Sequence, residues 1–382
     1  MAVIGPREIA AATRVLARGD LARYYTSGES ETSKFERELG AAMGTQHALA
    51  VNSGTSALIC ALVGASIGPG DEVLVPAYTW VSTAAAVISV GAVPVLVDID
   101  ESLTIDPIDI KARLTGRTRA IIPVHMINLV ADMEAIAAIA QEHDLIVIED
   151  SCQAIGVTYR GRRAGTIGDV GVYSFNQHKN LRSGEGGALV TDDPRIFARA
   201  GMYHDVGSYE RSEQFEFDEP AFVGVNSRMP ELSAAILRPQ LRRLDKLIGR
   251  LTKRRSMVVE RIESSGDPGM WIAEHHDPTA AVGVAIAFDD PDRAAAFGAV
   301  KGARRLSDTG RHVYTNWQSI LSKHPQHPRL DPYAWNDRDI TYDDDTCART
   351  LEILDRTCTV DLAPELPTKV FELLLRRLGG SE

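Results

Sequence analysis

The run LIVIED, residues 145–150, has the pattern of a buried strand that ends on two carboxylates. Four further runs rich in Val and Ile lie in the first half of the chain: EVLVP (72–76), PVLVDI (94–99), AIIPVH (120–125) and VGVYSF (170–175). Helical segments such as ADMEAIAAIAQEHD (131–144) separate the earlier runs. Continuous apolar strands that alternate with helices are typical of a mostly parallel sheet covered on both faces. The sequence therefore predicts an α/β fold.

The pattern divides the chain into three regions. Residues 1–28 show helix-like periodicity ahead of the first strand signal and are predicted to form an N-terminal arm. Residues 29–245 hold the alternating strands and helices of a large domain, and residues 246–382 are predicted to form a smaller C-terminal α+β domain. A long amphipathic stretch, from about residue 230 to residue 262, is predicted to connect the two.

Composition narrows the functional classes. With 382 residues, 44% hydrophobic and 24% charged, the chain has the make-up of a globular protein with a large core. A net charge of -11 argues against phosphate-backbone binding, so no nucleic-acid partner is expected. No apolar run reaches the roughly 18 residues that a membrane span needs, and no signal peptide is recognised. Four scattered cysteines without CxxC spacing predict neither disulfides nor zinc, and a reduced, cytoplasmic protein is the simplest interpretation.

Polar residues follow several of these strands, at the edge where open parallel sheets bind ligands. In NSGTSAL (52–58) an apolar strand leads into Ser53, Gly54, Thr55 and Ser56 before a helix. Backbone N–H groups and hydroxyls at a helix start suit a phosphate, and an ordinary N-cap beside a tight turn is the alternative. The GxxxxGK[ST] and GxGxxG patterns do not occur there, which argues against nucleotide or dinucleotide binding.

Three further residues past strand ends have an ordinary interpretation when taken singly. Asp150 could be a solvated strand exit, Lys179 an exposed loop lysine, and Trp80 a core aromatic. Together with NSGTSAL they match one chemistry, that of pyridoxal 5′-phosphate. This cofactor needs a phosphate cup, a lysine amine for a Schiff base, a carboxylate opposite the pyridine nitrogen and a flat partner for its ring.

Several segments carry a family resemblance in their order and spacing: NSGTSAL, GDEVLVPAYTWVSTAAAVISVGAVPVLVDID, IEDSCQAIG, AGTIGDVGVYSF, HK, SGEGGALVTDD and GVNSRMPELSAAIL. The sequence resembles the DegT/DnrJ/StrS family of pyridoxal-phosphate enzymes, often called sugar aminotransferases, within the fold-type I group. The similarity covers roughly residues 30–245, and the last third is similar only loosely. It implies a large domain with a mostly parallel seven-stranded sheet flanked by helices, and a smaller C-terminal α+β domain.

The resemblance also implies roles for individual residues. Lys179 would form the internal aldimine with pyridoxal 5′-phosphate and then shuttle the proton as general acid and base. Asp150 would pair with the pyridinium nitrogen, Gln153 would lie near the phenolic oxygen, and Trp80 would stack on the ring. The other implied cofactor-binding residues are Gly54, Thr55, Ser56 and Ser174, with Asn226 reaching the phosphate of the neighbouring subunit. The active unit would therefore be a homodimer with shared sites.

Two features bear on the reaction. The segment VHMINLVADM (124–133) lacks the glycine that the family commonly has shortly after the VH dipeptide, so the shape of this loop stays open. A subset of the family has histidine in place of the catalytic lysine and performs dehydration. His178 directly precedes Lys179, but the lysine lies five residues after Ser174, at the catalytic position. This spacing favours transamination.

The segment RHVYTNWQ (311–318) supplies candidate substrate residues. His312, Tyr314, Asn316 and Trp317 are predicted to line the acceptor pocket, and core or interface packing is the alternative for the two aromatic side chains, Tyr314 and Trp317. His324 and His327 lie among prolines without a third ligand nearby, so no metal site is predicted.

These observations predict a ping-pong aminotransferase that uses pyridoxal 5′-phosphate. The amino donor would be L-glutamate or L-glutamine, and the acceptor a keto group of a sugar, cyclitol or related polyhydroxy substrate. Dehydration or other carbanion chemistry on a similar substrate is a second hypothesis, and a non-catalytic cofactor-binding regulator is a third. The expected partners are these small molecules and a second copy of the chain, with no membrane.

Overall fold

A computed structural model describes residues 4–24, 28–208, 220–336, 338, 340–343 and 345–377. The helices of the N-terminal arm and large domain are α1 Pro6–Arg18, α2 Glu31–Met43, α3 Gly54–Gly64, α4 Ser82–Ser89, α5 Pro107–Arg113, α6 Met133–His143, α7 Pro194–His204 and α8 Glu231–Leu241. The strands of this part are β1 His47–Val51, β2 Glu72–Pro76, β3 Val93–Val97, β4 Thr118–Ile121, β5 Ile146–Asp150, β6 Thr158–Tyr159, β7 Arg162–Arg163, β8 Val170–Ser174 and β9 Gly187–Thr191.

The remaining elements follow the connection to the small domain. They are α9 Leu244–Glu263, β10 Met270–Ile272, β11 Ala285–Phe288, α10 Pro291–Gly298, β12 Ala303–Arg305, α11 Gln318–Leu321, α12 Ala348–Asp355, β13 Thr357–Val360 and α13 Thr368–Arg377. Short 3₁₀ turns occupy Met126–Asn128, Leu306–Asp308, Gly310–His312, Tyr314–Asn316, Pro328–Leu330 and Pro332–Trp335. Among the described residues, no helix combines the length and the apolar character needed to cross a bilayer.

The large domain is built on a seven-stranded sheet in the order β1-β9-β8-β5-β4-β2-β3. Strands β8, β5, β4, β2 and β3 pair in parallel, and β9 runs antiparallel to both of its neighbours. The five apolar runs of the sequence form the five parallel strands. The predicted α/β class and the mostly parallel seven-stranded sheet are therefore confirmed.

Burial on both faces explains why these strands are apolar throughout. In β2, Val73 and Val75 face a core that includes Leu58 of α3, whereas Leu74 faces a second core that includes Ile136 of α6. All three valine and leucine side chains of β2 have no exposed surface. Since successive residues of a strand point to opposite faces, a sheet between two helical layers needs apolar residues at every position.

Two helices, rather than one long helix, connect the large and small domains. Helix α8 ends at Leu241 and α9 begins at Leu244. Helix α1 packs on α8 through Ala11, Val15 and Ala235. The small domain has an antiparallel sheet in the order β10-β11-β13-β12 with helices beside it, which confirms the predicted smaller α+β domain. The predicted domain boundaries themselves stay a prediction.

His276 links the small domain to the large domain. Its Nε2 lies 3.4 Å from Asp100 Oδ2, and its Nδ1 lies 3.7 Å from Asp132 Oδ2. Burial of the imidazole opposes its protonation, but the two carboxylates outweigh that effect and raise the pKa of His276 above its ordinary value of 6.5. A raised pKa means that the protonated imidazole is the form that stabilises this contact.

We expect His276→Asn to lower the free energy of unfolding at acidic pH only. The contribution of His276 is complete below about pH 6.5 and is lost as the pH rises through its raised pKa in the folded state. The difference from the parent protein should be about 0.5–1 kcal/mol at low pH and near zero at alkaline pH, by urea unfolding across a pH series. His324→Asn, at an exposed loop histidine, is the control. A difference that stays constant with pH would contradict this role.

Candidate active site

The first part of the site is the start of α3. Ser53 caps this helix, accepting from Ser56 N through its Oγ at 3.0 Å. The first intrahelical bond runs from Ala57 N to the Ser53 carbonyl. The amides of Gly54 and Thr55 precede that bond and therefore have no partner within the helix. Two free amides at the positive end of a helix can receive a phosphate.

Close backbone approach brings Ser174 to this helix start. A Cβ on Gly54 would lie 2.8 Å from Ser174 Cβ and 3.0 Å from Cys152 Sγ, so only glycine fits here. Ser174, at the end of β8, keeps 8% of its surface exposed. Ser56 differs from the other predicted phosphate residues, because its hydroxyl donates to Asn52 Oδ1 at 2.7 Å as part of the cap network. Gly54, Thr55 and Ser174 are therefore the candidates for a phosphate cup, and this assignment stays a prediction, whereas Ser56 belongs to the cap network.

A buried carboxylate is the second part of the site. Asp150 ends β5 with only 5% of its surface exposed. Its Oδ2 accepts from Thr83 Oγ1 at 2.9 Å, and its Oδ1 accepts from Cys152 N at 3.1 Å. Both donors are neutral, and within the described part of the chain no arginine, lysine or histidine forms an ion pair with this carboxylate. A buried charge without a counter-ion is unfavourable, so a cationic ligand atom fits beside Asp150.

Lys179 lies in the turn that joins β8 to β9. Lys179 N donates to the Asn176 carbonyl at 3.0 Å, and Gln177 N donates to the Gly184 carbonyl at 3.0 Å. The ammonium group of Lys179 acts on two neighbours of the site. Burial and Asp150 raise the pKa of the Cys152 thiol while Lys179 opposes them. The influence on Cys152 indicates that the lysine charge lies near this thiol, two residues after Asp150 in the chain.

The aromatic side chain of Trp80 borders the site on its open side. Trp80 is 37% exposed, and its ring centroid lies 5.1 Å from that of His312. The guanidinium of Arg311 lies over the Trp80 ring at 4.6 Å from its centroid. Burial, and then the charge of Lys179, lower the pKa of His312, which places this imidazole near the lysine. His312 is therefore brought next to Trp80, its role toward a substrate stays a prediction, and Arg311 is a neighbour that the sequence did not single out.

Backbone pairing explains how a distant segment reaches Trp80. Thr79 N donates to the His312 carbonyl at 2.9 Å, and Val81 N donates to the Arg311 carbonyl at 3.1 Å. Tyr314 N in turn donates to the Ala77 carbonyl at 3.0 Å. Residues 311–314 thus extend the end of β2 like an added strand. No local sequence pattern announces such a pairing between segments more than two hundred residues apart.

Trp317 is 1% exposed and belongs to the hydrophobic core, so it does not line a pocket. The prediction for Tyr314 is wrong for the same reason, because its side chain also belongs to this core. It has no exposed surface, and its hydroxyl donates to the Asp343 carbonyl at 3.0 Å. A substrate does not reach this side chain in the structure. Asn316 is exposed, with its Nδ2 donating to the Gly310 carbonyl at 3.0 Å, so its role toward a substrate stays a prediction.

The other acid of the IED motif, Glu149, precedes Asp150 and is hydrogen-bonded within the protein. Glu149 is fully buried and bonds to His125 Nε2 at 2.9 Å. It also accepts from the amides of Gly165 and Gly168 at 2.7 and 2.6 Å. These donors, His125 foremost, hold the pKa of Glu149 below its ordinary value despite burial, which acts to raise it. The only sequence signal for Glu149 was its place in the IED motif, directly before Asp150.

The two remaining predicted residues, Gln153 and Asn226, lie in different segments of the chain. Gln153 Oε1 accepts from Ile127 N at 3.1 Å, which fixes its amide beside the loop after β4. Asn226 is exposed, and its Oδ1 accepts from Arg228 N at 3.3 Å. Its neighbour Ser227 accepts through its carbonyl from Asn52 N at 2.8 Å, so this segment borders the phosphate cup.

Pyridoxal 5′-phosphate fits the assembled groups. The free amides of Gly54 and Thr55 suit its phosphate, the uncompensated Asp150 carboxylate suits a protonated ring nitrogen, and Lys179 suits its aldehyde carbon. The fold and the site together define a fold-type I enzyme that depends on this cofactor.

The family follows from comparison with known proteins. The profile of the DegT/DnrJ/EryC1/StrS aminotransferase family matches residues 3–302. The chain therefore belongs to this family of pyridoxal-phosphate-dependent aminotransferases. The resemblance, the enzyme class and the cofactor predicted from the sequence are confirmed.

Curated relatives act on different substrates according to their names. The spore coat polysaccharide biosynthesis protein SpsC of Bacillus subtilis is 39% identical over 284 residues, 72% of this chain and 71% of that protein. The dTDP-3-amino-3,4,6-trideoxy-alpha-D-glucose transaminase of Streptomyces venezuelae is 41% identical over 69% of this chain and 66% of its own length. The L-glutamine:2-deoxy-scyllo-inosose aminotransferase of Streptoalloteichus tenebrarius is 40% identical over 58% of this chain and 54% of its own length.

Solved structures share the fold over nearly the whole chain. An aminotransferase from Psychrobacter cryohalolentis superposes with a TM-score of 0.81 at 25% identity, over 98% of this chain and 96% of that one. A 3-amino-5-hydroxybenzoic acid synthase gives a TM-score of 0.79 at 28% identity, over 98% and 96%. The E. coli GDP-4-keto-6-deoxy-D-mannose-3-dehydratase gives 0.80 at 22% identity, over 99% and 98%, a likeness of fold alone.

We expect Gly54→Ala to weaken cofactor binding. The added Cβ would meet Ser174 Cβ at 2.8 Å and push β8 away from the start of α3. The loss of about one hydrogen bond to the cofactor phosphate should weaken cofactor affinity roughly 10-fold or more. Titration of the cofactor-free protein with pyridoxal 5′-phosphate, followed by absorbance, measures the change. Gly68→Ala is the matched control, since its Cβ would meet only the Val90 carbonyl at 3.7 Å. Equal affinities in the two variants would contradict the cup assignment.

Proposed function

We propose that this aminotransferase moves an amino group from L-glutamate, or L-glutamine, to a keto group of a sugar, cyclitol or related polyhydroxy substrate. The observation that carries the proposal is that Lys179 and the buried Asp150 carboxylate, which has no ion-pair partner in the described part of the chain, both act on the same Cys152 thiol. Relatives named as sugar and aminocyclitol aminotransferases support the acceptor class. The name of one of them supports glutamine as the alternative donor.

Each residue has a defined task in this function. When bound, pyridoxal 5′-phosphate supplies an electron sink that stabilises negative charge on the carbon bearing the amine. Asp150 would hold the ring nitrogen in its protonated form, and Gly54, Thr55 and Ser174 would hold the phosphate. Lys179 would remove and return the proton at that carbon through its Nζ, which requires a neutral amine. The ring of Trp80 would limit movement of the cofactor on the open side.

Arg311 adds a cation at the mouth of the site. Its guanidinium is held over Trp80, and its backbone carbonyl is fixed by Val81 N and by Trp317 Nε1 at 2.8 Å. An exposed guanidinium suits a carboxylate or phosphate of the substrate. Amino donors carry a carboxylate and nucleotide-linked sugars carry phosphates, so Arg311 is compatible with both halves of the reaction.

Dehydration is the alternative reaction on a similar substrate. The fold is shared with a dehydratase at 22% identity, and fold alone does not decide the chemistry. His178 is exposed, and its amide donates to Asn176 Oδ1 at 3.3 Å, whereas Lys179 is partly buried beside Cys152 and His312. The position of the lysine favours transamination. A non-catalytic regulator would not need both Lys179 and a buried Asp150 near Cys152.

The active unit is proposed to be a cytoplasmic homodimer with shared sites. Asn226 is exposed at the border of the cup, and Val223 beside it is 89% exposed. On helix α1, Ile9 and Leu16 are 61% and 59% exposed on the side away from α8. Apolar side chains exposed in this way suit an interface with a second copy.

Replacement of Lys179 tests the function. Lys179→Ala should reduce transamination by about 10²- to 10⁴-fold or more, since it removes the general acid and base. Borohydride treatment should attach the cofactor to the peptide that contains residue 179 in the parent protein only. The control is His178→Gln, at the exposed neighbour, which should keep near-parent activity. Full activity in Lys179→Ala, or loss of activity in His178→Gln alone, would overturn the assignment.

Two product assays identify the reaction and its acceptor. Incubation with L-glutamate should yield 2-oxoglutarate in an amount equal to the protein sites, which a dehydratase without transaminase activity would not form from glutamate alone. The protein, whose bound cofactor now carries the amino group, is then offered a panel of ketosugars, nucleotide-linked ketosugars and keto-cyclitols. Return of the initial absorbance spectrum marks an acceptor, and its absence with every member would contradict the proposed acceptor class.

Subunit mixing tests the shared site. Asn226→Asp should lower activity by about 10-fold or more, because a carboxylate repels the phosphate. Mixed with Lys179→Ala, it should recover activity, since each heterodimer contains one intact site. With random pairing, the mixture should reach about a quarter of the parent activity. No recovery on mixing would show that Asn226 acts within its own subunit or not at all.

A further inference from the structure

The loop after β4 has an unusual backbone. Ile127 has φ 45° and ψ 39°, and Asn128 has φ 63°. Two successive residues other than glycine in the left-handed region are uncommon, and a β-branched residue there is strained. The family commonly has glycine shortly after the VH dipeptide, and Asn128 now occupies a left-handed position. Asparagine is one of the few residues that tolerate this conformation.

Unlike glycine, asparagine has a side chain that makes contacts. Asn128 Oδ1 accepts a hydrogen bond from Asn180 Nδ2 at 2.7 Å. The same Asn180 nitrogen lies 3.4 Å from the Ile155 carbonyl. Asn180 directly follows Lys179, so Asn128 holds the residue next to the reactive amine. The bond lies in a partly buried place, where the loss of one partner leaves a polar group without compensation.

The same loop is tied to the other parts of the site. His125 N donates to the Asp150 carbonyl at 3.0 Å, and Ile127 N donates to Gln153 Oε1 at 3.1 Å. From the small domain, Gly283 N donates to the Asn128 carbonyl at 3.2 Å. A Cβ on Gly283 would lie 1.9 Å from the Ile127 carbonyl oxygen, so the two segments are in close contact. The backbone of Asn128 is therefore fixed on several sides while its side chain reaches Asn180.

We propose that Asn128 is a positioning residue for Lys179, acting through the hydrogen bond from Asn180 Nδ2 to Asn128 Oδ1. Its left-handed backbone is one that asparagine tolerates, and its amide oxygen adds a restraint on the lysine turn that glycine would not provide. The inference deepens the proposed function in one respect, since it takes Lys179 as the reactive amine.

Asn128→Gly tests the proposal, because glycine keeps the left-handed backbone and removes only the side chain. We expect kcat to fall about 3- to 10-fold, the range for loss of one hydrogen bond, with KM for the amino donor within twofold and a shifted pH profile of kcat. Asn128→Asp is the matched rescue variant, since it keeps the acceptor oxygen and tolerates the left-handed region. It should stay within twofold of the parent kcat.

A second readout does not depend on activity. In the cofactor-free protein, limiting acetic anhydride labels Lys179 and the exposed Lys246, and mass spectrometry gives their labelling ratio. Asn128→Gly should raise the ratio of Lys179 to Lys246 at least twofold, because the lysine turn is less restrained. Asn180→Asp, which removes the donor, should do the same. Adding Asn128→Gly to that variant should have no further effect.

The outcomes separate this inference from the proposed function. Unchanged labelling and unchanged kcat in Asn128→Gly would overturn the positioning role, as would equal losses in Asn128→Gly and Asn128→Asp. If Asn128→Gly does not fold, Asn180→Asp decides by the same readouts. Failure of the proposed function would show itself differently, as full activity in Lys179→Ala.

Discussion

A buried carboxylate without a counter-ion is the constraint on which this structure depends. Strand β5 ends in two acids, and successive strand residues point to opposite faces of the sheet. Glu149 is satisfied within the protein by His125 and by backbone amides. Among the described residues, the Asp150 carboxylate accepts from neutral donors, Thr83 Oγ1 and the amide of Cys152. One acid is thus satisfied within the protein, and the other is proposed to pair with a cationic atom of a ligand.

The phosphate cup depends on a different physical feature, the close approach of backbones. Gly187 would place a Cβ 2.3 Å from the Ser53 carbonyl, and Gly54 would place one 2.8 Å from Ser174 Cβ. Side chains at either position would separate β9 and β8 from the start of α3. The small residues around Lys179 and NSGTSAL are therefore needed for proximity as well as for turn geometry. The distance between the phosphate cup and Asp150 follows from this packing.

The sequence predicted the parts of the molecule that local pattern and topology control. Apolar runs identified the parallel strands, and residues past their carboxyl ends, such as Asp150 and Lys179, had to meet at one edge of the sheet. Other contacts left no local signal. The pairing of residues 311–314 with the end of β2 joins distant segments, and it turns Tyr314 into the core while bringing Arg311 to Trp80. The hydrogen bond from Asn180 to Asn128 could not be predicted from the sequence, because the lack of a glycine in a loop does not show which residue adopts the left-handed conformation.

The small domain reaches the site from more than one side. The carbonyls of its residues 311 and 312 accept hydrogen bonds from Val81 N and Thr79 N, on either side of Trp80. Its Gly283 N donates to the carbonyl of Asn128, whose side chain contacts the turn that holds Lys179. His276 adds a contact with Asp100 and Asp132 farther away. Any displacement of the small domain must therefore either break these bonds or move Trp80 and the lysine turn with it. Because Asn128 accepts from Gly283 N through its carbonyl and from Asn180 Nδ2 through its side chain, it connects the small domain to the turn that holds Lys179.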